Sequence, residues 1–416
     1  MIKNEDRSLH APYYEQRLDS GLSVLFLPRK SVLKSAVIYV PFGCYPHEES
    51  INGTKIPFGT GYFLSAMIAS PGFLKEMQNK GIRLTAFQDY SYTTYTLETL
   101  GDIFQAIDML LKRILRLKVE EEDIVSFREE GKENFEKDMK DPFFLVEKEA
   151  VQNLFSASPI RKGRLPDEKE SLQIHSSTLK KYLSAIYQGE RLTLLISGNY
   201  TAKEVQSHFA FLPLRGHTTI ESVPSVFEED YTKAKTTYTT FRANAPFDIL
   251  SFGLKFPKRE ELYNLYGDEL FSFYEFLESA AFTRNEPFLS LVRSTSSDLL
   301  RAKLEQAGEE TYLLLTFRTE QETKLANVLT NYILKIDTHV SHSLFASLKD
   351  HAFAKALASL SLPSTALKAF TNAYANNVAY PALAKSVSRM HYSDMKQFLS
   401  KMSSFPRAAS YLKAIR

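Results

Sequence analysis

The two halves of this chain carry a similar order of predicted elements, and this repeat constrains the fold more than any other feature. The segment LKKYLS at residues 179–184 aligns with MKQFLS at residues 395–400, an offset of 216 residues. Residues 249–256 predict a strand and residues 270–282 an apolar helix, which match the second strand and the apolar helix of the first half. Since 416 residues are many for one compact core, we expect two similar units.

The first half contains both strands and helices. Apolar and β-branched residues between turn signals predict strands at 22–27, 35–40, 83–87, 92–98 and 192–196. Apolar periodicity and helix start and stop signals predict helices at 60–68, 73–80, 103–117, 120–140 and 143–155. Residues 214–235 lack a clear period of either kind. We therefore place a linker there, between an N-terminal repeat at 1–213 and a C-terminal repeat at 236–416.

Composition and charge exclude several functional classes. The chain has 51 Lys and Arg against 49 Asp and Glu, so its net charge of +2 favours neither nucleic acid nor an acidic membrane. Residues 1–17 contain no apolar run of signal-peptide length, and no run of about 18 apolar residues predicts a spanning helix. The single cysteine, Cys44, cannot form an internal disulfide, which favours a reducing compartment. We expect a cytoplasmic protein that has no membrane span and binds no nucleic acid.

A glycine-bearing loop and the helix after it carry a family resemblance. The chain reads LDSGLSV at residues 18–24, has Gly43, Cys44, Glu48 and Gly53, and reads GTGYFLSAM at residues 59–67. This pattern resembles the opening of the insulinase/pitrilysin-type zinc peptidases, the inverted zincins, whose active members normally read GTAHFLEHM on this helix. The resemblance implies an α+β fold of two homologous repeats. Each repeat would be a mixed, largely antiparallel sheet with helices packed on it, and the chain would form half of a clamshell.

The residues that make this family catalytic are replaced in this chain. Tyr62 stands at the first His of H-x-x-E-H, Ser65 at the Glu and Ala66 at the second His. In active members the two imidazoles bind zinc from one helical face, and the carboxylate activates the metal-bound water. Alanine has no donor atom, and the phenol of tyrosine ionises only near pH 10. The resemblance therefore predicts no catalytic residue and no metal on this helix.

The third zinc ligand of active members is a Glu on the long acidic helix downstream. Counting back from the Asp141-Pro142 turn places the matching position at Asn134, and Glu133 is adjacent, so a shift of one residue would restore a carboxylate. One carboxylate alone does not make a zinc site. The alternative interpretation of residues 120–138 is an ordinary solvated helix face.

Two further segments match substrate-binding positions of the family. RLTAF at residues 83–87 resembles the strand whose edge pairs with substrate peptides through backbone hydrogen bonds, which implies contacts at Thr85, Ala86 and Phe87. The alternative is a plain core strand. In the second repeat, partners of active subunits often supply an Arg and, seven residues later, a Tyr; Arg293 matches the Arg, and Leu300 replaces the Tyr. Arg293 is alternatively a surface or structural arginine, although its guanidinium suits a peptide carbonyl or carboxylate.

The resemblance leads to one favoured function and two alternatives. We expect a catalytically inactive protein without zinc or another cofactor that pairs with an active, zinc-bearing paralogue as a heterodimer, or self-associates, and helps to bind peptide in a shared chamber. Zinc endopeptidase activity would then belong to the complex and not to this chain alone. The first alternative is a structural or scaffold subunit without a role in substrate binding. The second is a zinc-dependent endopeptidase with an unrecognised site.

Overall fold

The computed structural model divides the chain into two compact units that are not contiguous in sequence. It describes residues 1–4, 12–44, 49–51, 53–210, 221–222, 227–376, 378 and 386–415. The first unit comprises Met1–Glu133, Arg164–Val226 and Leu357–Pro381. The second unit comprises Asn134–Gly163, Phe227–Ala356 and Ala382–Arg416.

Strands occur throughout the described part of the chain. They are β1 Ile2–Asn4, β2 Tyr13–Arg17, β3 Ser23–Pro28, β4 Lys34–Val40, β5 Glu49–Ile51, β6 Thr54–Lys55, β7 Ile82–Gln88, β8 Thr93–Thr99, β9 Thr193–Gly198, β10 Glu221–Ser222, β11 Tyr238–Asn244, β12 Ile249–Lys255, β13 Ser297–Ala307, β14 Glu310–Thr319 and β15 Arg407–Ile415.

The α-helices lie mainly between the hairpins and after them. They are α1 Thr60–Ile68, α2 Pro71–Asn79, α3 Ile103–Leu115, α4 Glu121–Asp138, α5 Pro142–Leu154, α6 Glu168–Ser171, α7 Ser176–Ile186, α8 Ala202–Phe209, α9 Arg259–Tyr266, α10 Glu269–Phe276, α11 Glu286–Arg293, α12 Glu322–Leu334, α13 Ile336–His339, α14 His342–Ala358, α15 Pro363–Ala375 and α16 Tyr392–Met402. A π-helical turn, Leu277–Ala281, continues α10.

The first unit is built on a mixed sheet of seven strands in the order β1-β2-β3-β9-β4-β8-β7. β3 and β9 are parallel, and the other neighbouring pairs are antiparallel. Apolar side chains of the sheet pack with those of α1, α3 and α7 in one core, which includes Phe26, Phe63, Tyr95, Ile107 and Tyr182. This core holds α1, the helix of the degenerate motif, close to the sheet edge at β7.

The second unit repeats this topology on a five-stranded sheet. Its order is β11-β15-β12-β14-β13, which matches β3-β9-β4-β8-β7 strand for strand. β11 and β15 are parallel, and the other neighbours are antiparallel. The aligned segments LKKYLS and MKQFLS lie on α7 and α16, which come before β9 and β15 respectively. Two mixed, largely antiparallel sheets with helices packed on them confirm the predicted α+β fold class.

Each sheet is covered in part by a helix from the other half of the sequence. α5 packs on β11, β12 and β15 of the second unit, where Val146 is buried beside Ile249 and Leu412. α15 packs on β4 and β9 of the first unit, where the ring of Tyr374 lies edge-on to that of Tyr39 with 5.4 Å between centroids. The two halves of the sequence therefore exchange one helix each.

Most predicted elements agree with the observed ones to within one or two residues at their ends. β1 and β2 were not predicted, because both are short and polar, and an edge strand needs no continuous apolar face. The predicted linker at 214–235 lies partly outside the described residues. The repeat boundaries at 1–213 and 236–416 remain predictions.

Candidate functional site

Two glycines determine where α1 begins. Gly59 precedes the helix with a φ of 91°, a left-handed conformation that glycine adopts without the steric cost of a Cβ. A Cβ on Gly61 would lie only 2.4 Å from the side-chain nitrogen of Gln88 and 2.8 Å from the carbonyl oxygen of Gly43. The first turn of α1 therefore lies directly against the end of β7. This contact places the degenerate motif beside the sheet edge.

The ring of Tyr62 fills the space between α1 and α4. A Cβ built on Gly131 would lie 3.2 Å from a ring carbon of Tyr62 and 3.5 Å from its hydroxyl oxygen. Gly131 shares a face of α4 with the buried residues Ile124 and Phe127. A glycine inside a helix costs about 1 kcal/mol relative to alanine. Gly131 was not among the predicted site residues, although an isolated glycine in a helical pattern is itself a signal of close packing.

Ser65 and Ala66 face the core of the first unit. Ser65 is 8% exposed, and its hydroxyl lies near that of Tyr95, which is 2.7 Å from the hydroxyl of Tyr187. Burial raises the pKa of both tyrosines, so both remain protonated. Ala66 packs against the same core. Ser65 therefore presents a small neutral hydroxyl at the position where active members of the resembled family have a carboxylate.

This set of donor atoms does not fit a zinc ion. The motif positions offer two neutral hydroxyls and a methyl group, whereas proteins hold zinc with imidazole, thiolate or carboxylate. Asn134 and Glu133, the predicted positions of the third ligand, are both exposed on α4. Gly131 of α4, which lies against the ring of Tyr62, has no side chain that could donate. Within the described ranges, no three His, Cys, Asp or Glu side chains are grouped so that they could hold a metal ion.

β7 is an edge strand, and β8 is the only described strand that pairs with it. Thr85 and Phe87 lie on its exposed face, and 46% of Phe87 is exposed. Ala86 lies on the opposite face, against the core. The predicted substrate-binding residues are therefore brought together on one strand with an open side.

The hydrogen-bonding pattern of the hairpin shows which backbone groups of β7 face the open side. Asp89 donates its backbone N–H to the carbonyl of Tyr92 over 2.8 Å. Hydrogen-bonded pairs alternate along an antiparallel ladder. In the observed register, the N–H and C=O groups of Leu84, Ala86 and Gln88 therefore point away from β8. An extended peptide can form backbone hydrogen bonds with these groups.

An arginine that the sequence analysis did not single out lies at the exposed end of β7. The guanidinium carbon of Arg164 is 4.9 Å from the ring centre of Tyr90 and 5.9 Å from that of Phe87. Its Nη2 atom lies 3.1 Å from a carboxylate oxygen of Asp89. Because Arg164 is separated from Asp89 by 75 residues in sequence, no local pattern could have indicated this cluster.

Arg293 lies at the end of α11 and lines a cavity of about 540 Å³ in the second unit. Its guanidinium pairs with Glu286, and 52% of its side chain is exposed. Leu300, at the position of the family Tyr, lines the same cavity from the edge strand β13. Glu278 also lines it, and burial together with the nearby Glu275 carboxylate raises the pKa of Glu278 to about 7. Arg293 and Leu300 thus share one polar cavity, and Arg293 already holds an ion pair there.

Comparison with known proteins gives a clear result for the fold. No protein-family model matches the chain, and no curated protein matches it by sequence. A protein from Alicyclobacillus acidocaldarius described as an M16-like peptidase matches over 100% of both chains, with a TM-score of 0.85 and 14% identity. A peptidase M16 inactive domain from Pseudomonas fluorescens matches 97% of this chain and 98% of its own, with a TM-score of 0.73 and 12% identity. The chain has the M16-like peptidase fold.

The M16 fold agrees with the resemblance in the sequence, because M16 is the group of the insulinase/pitrilysin-type peptidases. The periplasmic protease PqqL from Escherichia coli matches 100% of this chain but only 48% of its own, with a TM-score of 0.69 and 13% identity. The chain therefore corresponds to one half of that longer M16-fold protein. In the described ranges, every helix is too short or too polar to cross a lipid bilayer.

Proposed function

We propose that this chain is a catalytically inactive subunit with the M16 fold that pairs with an active, zinc-bearing paralogue and helps to bind peptide in a shared chamber. The contacts of the motif helix support the proposal. Tyr62 packs against Gly131, and Ser65 is buried near the hydroxyl of Tyr95. The positions of the catalytic residues are thus used for packing, while the neighbouring sheet edge stays open to a peptide.

The relatives in fold support pairing. The chain matches one half of PqqL, and a separate M16 inactive domain of nearly the same extent is known from Pseudomonas fluorescens. A chain that corresponds to half of a longer peptidase needs a second half to enclose a chamber. We propose an active paralogue as that second half, with a second copy of this chain as the alternative. The zinc would be bound in the paralogue and not here, and we place the complex in the cytoplasm.

Peptide binding by the inactive subunit would use the open side of β7. The outward backbone groups of Leu84, Ala86 and Gln88 can extend the sheet by one strand, and this interaction needs no catalytic side chain. Arg293, exposed in the cavity of the second unit, is a proposed second contact through its guanidinium. Peptide binding would therefore survive the loss of the metal ligands.

The test is to purify the chain alone and together with a paralogue that retains H-x-x-E-H, and to measure bound zinc and peptide cleavage. We expect no stoichiometric zinc and no cleavage from the lone chain, and more cleavage from the mixture than from the paralogue alone. Chelator-sensitive cleavage by the lone chain would contradict the proposal and indicate an unrecognised site.

An Ala86→Pro variant separates peptide binding from a scaffold role. The N–H of Ala86, which proline lacks, faces the open side of β7, so the hydrogen bonds between β7 and β8 are kept. A bound peptide would lose one hydrogen bond and would clash with the proline ring. We expect the variant to form the complex but to cleave less, with folding checked by circular dichroism. Unchanged cleavage in the Ala86→Pro and Arg293→Ala complexes would indicate a scaffold subunit instead.

A further inference from the structure

On the basis of the proposed function, we infer that the open edge of β7 selects extended peptides that carry an acidic side chain and, four residues away, an aromatic or large apolar side chain. Two residues at opposite ends of the exposed face of β7 carry the inference. Arg83 lies at one end and Phe87 at the other. Their side chains differ in charge and in apolar surface, so they would contact different groups of a bound peptide.

The spacing follows from strand geometry. A peptide that extends the sheet lies about 4.8 Å from β7, and the Cβ atoms of residues directly opposite each other are about 5 Å apart. Arg83, Thr85 and Phe87 alternate with residues that face the core, so they share the exposed face. The peptide residues opposite Arg83 and Phe87 are therefore four positions apart and on the same face. This spacing holds for a parallel and for an antiparallel peptide.

The Arg83 end favours a carboxylate. The side chain of Arg83 is 76% exposed and pairs with Glu98 over 3.3 Å. A guanidinium has five N–H donors, so this single ion pair leaves donors for a second carboxylate. Glu98 lies on β8, one strand farther from the peptide, so Arg83 is the nearer charge.

The Phe87 end favours an aromatic or large apolar side chain. Phe87 is 46% exposed at an open sheet edge, where natural proteins usually avoid apolar residues unless a partner covers them. Its ring lies 6.5 Å from that of Tyr92, and the Arg164 guanidinium lies 5.9 Å away. A peptide ring opposite Phe87 would bury both rings.

The test measures binding of short labelled peptides by fluorescence polarisation, with the chain alone and in the complex. One peptide has Glu and Phe four positions apart, and three controls have Lys in place of Glu, Ser in place of Phe, or a spacing of three. We expect each control to bind roughly fivefold more weakly. A spacing of three places the second side chain on the other face of the strand, where it cannot reach Phe87.

Variants of the protein assign each preference to its residue. Arg83→Glu is expected to reverse the preference from Glu to Lys, and Phe87→Ser to remove the preference for Phe. Arg242→Glu is the matched control, because Arg242 is an exposed arginine on β11, an edge strand of the second sheet, and this change should alter neither preference. If the affinity of the peptides does not depend on the acidic side chain, the aromatic side chain or their spacing, the inference is wrong and the proposed function still stands. If no peptide binds to the chain or to the complex, both fail.

Discussion

Replacement of Lys255 by methionine should strongly destabilise the second unit, because it would leave a buried carboxylate without its counter-ion. The Lys255 ammonium lies 2.8 Å from Glu229, and the two side chains are 0% and 1% exposed. The ammonium also donates to the carbonyl of Asp230 over 2.8 Å. Glu229 in turn accepts hydrogen bonds from the backbone N–H groups of residues 156–158, at 3.0, 2.7 and 2.9 Å. The pair therefore holds two segments of the second unit against β12.

The expected size of the effect follows from this burial. Removal of one partner from a buried ion pair typically costs about 3–5 kcal/mol. In a unit of this size about 1 kcal/mol lowers Tm by about 2–4 °C, so we expect a loss on the order of 10 °C.

The penalty should also depend on pH. Burial by itself would raise the pKa of Glu229, but Lys255 and the backbone donors outweigh it and lower the pKa. Stability from a lowered carboxyl pKa is present above the unfolded value, near 4.3, and is lost as the pH falls through the folded value. The difference between wild type and Lys255→Met should therefore shrink below about pH 4.

Differential scanning calorimetry of wild type, Lys255→Met and Lys233→Met tests the prediction. Lys233 provides the matched control, because its side chain is 76% exposed and pairs with Asp230 at the surface over 3.0 Å. Exposed pairs contribute at most about 1 kcal/mol, so this variant should melt within about 4 °C of wild type. Each thermal transition is analysed separately, since a chain with two units need not unfold in one step. Equal shifts for the two variants, or a Lys255→Met penalty unchanged at acidic pH, would refute the reasoning.

Three further predictions concern the motif helix and the cavity of the second unit. Gly131→Ala should change stability little in wild type but should stabilise a Tyr62→Ala protein by about 1 kcal/mol, because the tyrosine ring no longer opposes the added methyl group. Urea denaturation of wild type, the two single variants and the double variant tests this. An equal effect of Gly131→Ala in both backgrounds would show that the ring does not touch Gly131. Ser65→Ala should destabilise by about 1 kcal/mol through loss of its polar contact with Tyr95, and the same change in a Tyr95→Phe protein should have a smaller effect. Simple additivity in urea denaturation would count against that contact. Glu278→Gln should raise Tm at pH 8 but hardly at pH 4. Because the folded pKa of Glu278 is about 7, its buried carboxyl destabilises the folded protein only as the pH rises above the unfolded value near 4.3. Equal shifts at both pH values would contradict the raised pKa.

The parts of the fold that the sequence predicts well are those with local signals. α1 spans Thr60–Ile68 as predicted, because the preceding glycines and the following Ser70-Pro71 turn mark its ends. The boundary between α4 and α5 was also predicted, and Asp141 accepts a hydrogen bond from the N–H of Phe143 over 2.9 Å as the cap of α5. Such signals depend on neighbours within one turn of chain, so they can be read without the fold.

The contacts of the candidate site depend on residues far apart in sequence, and they were not predicted. The sequence shows that Tyr62 replaces a zinc ligand of the family. It does not show that the ring of Tyr62 packs against Gly131. Arg164 has no motif of its own and reaches Phe87 only through the fold. The polar strands β1 and β2 have no apolar alternation, so their pairing is visible only in the sheet. Resemblance to a family therefore located the site, while its present contacts needed the structure.

Because the two repeats exchange α5 and α15, each repeat needs a helix from the other half of the sequence to complete its core. A fragment that ended at residue 213 would lack α15, so water would reach Tyr39 and the rest of the covered face of β4, and its α5 would lack the strands on which it packs. Separation of the two repeats would therefore leave two incomplete cores. The structure therefore predicts that neither repeat folds completely in the absence of the other.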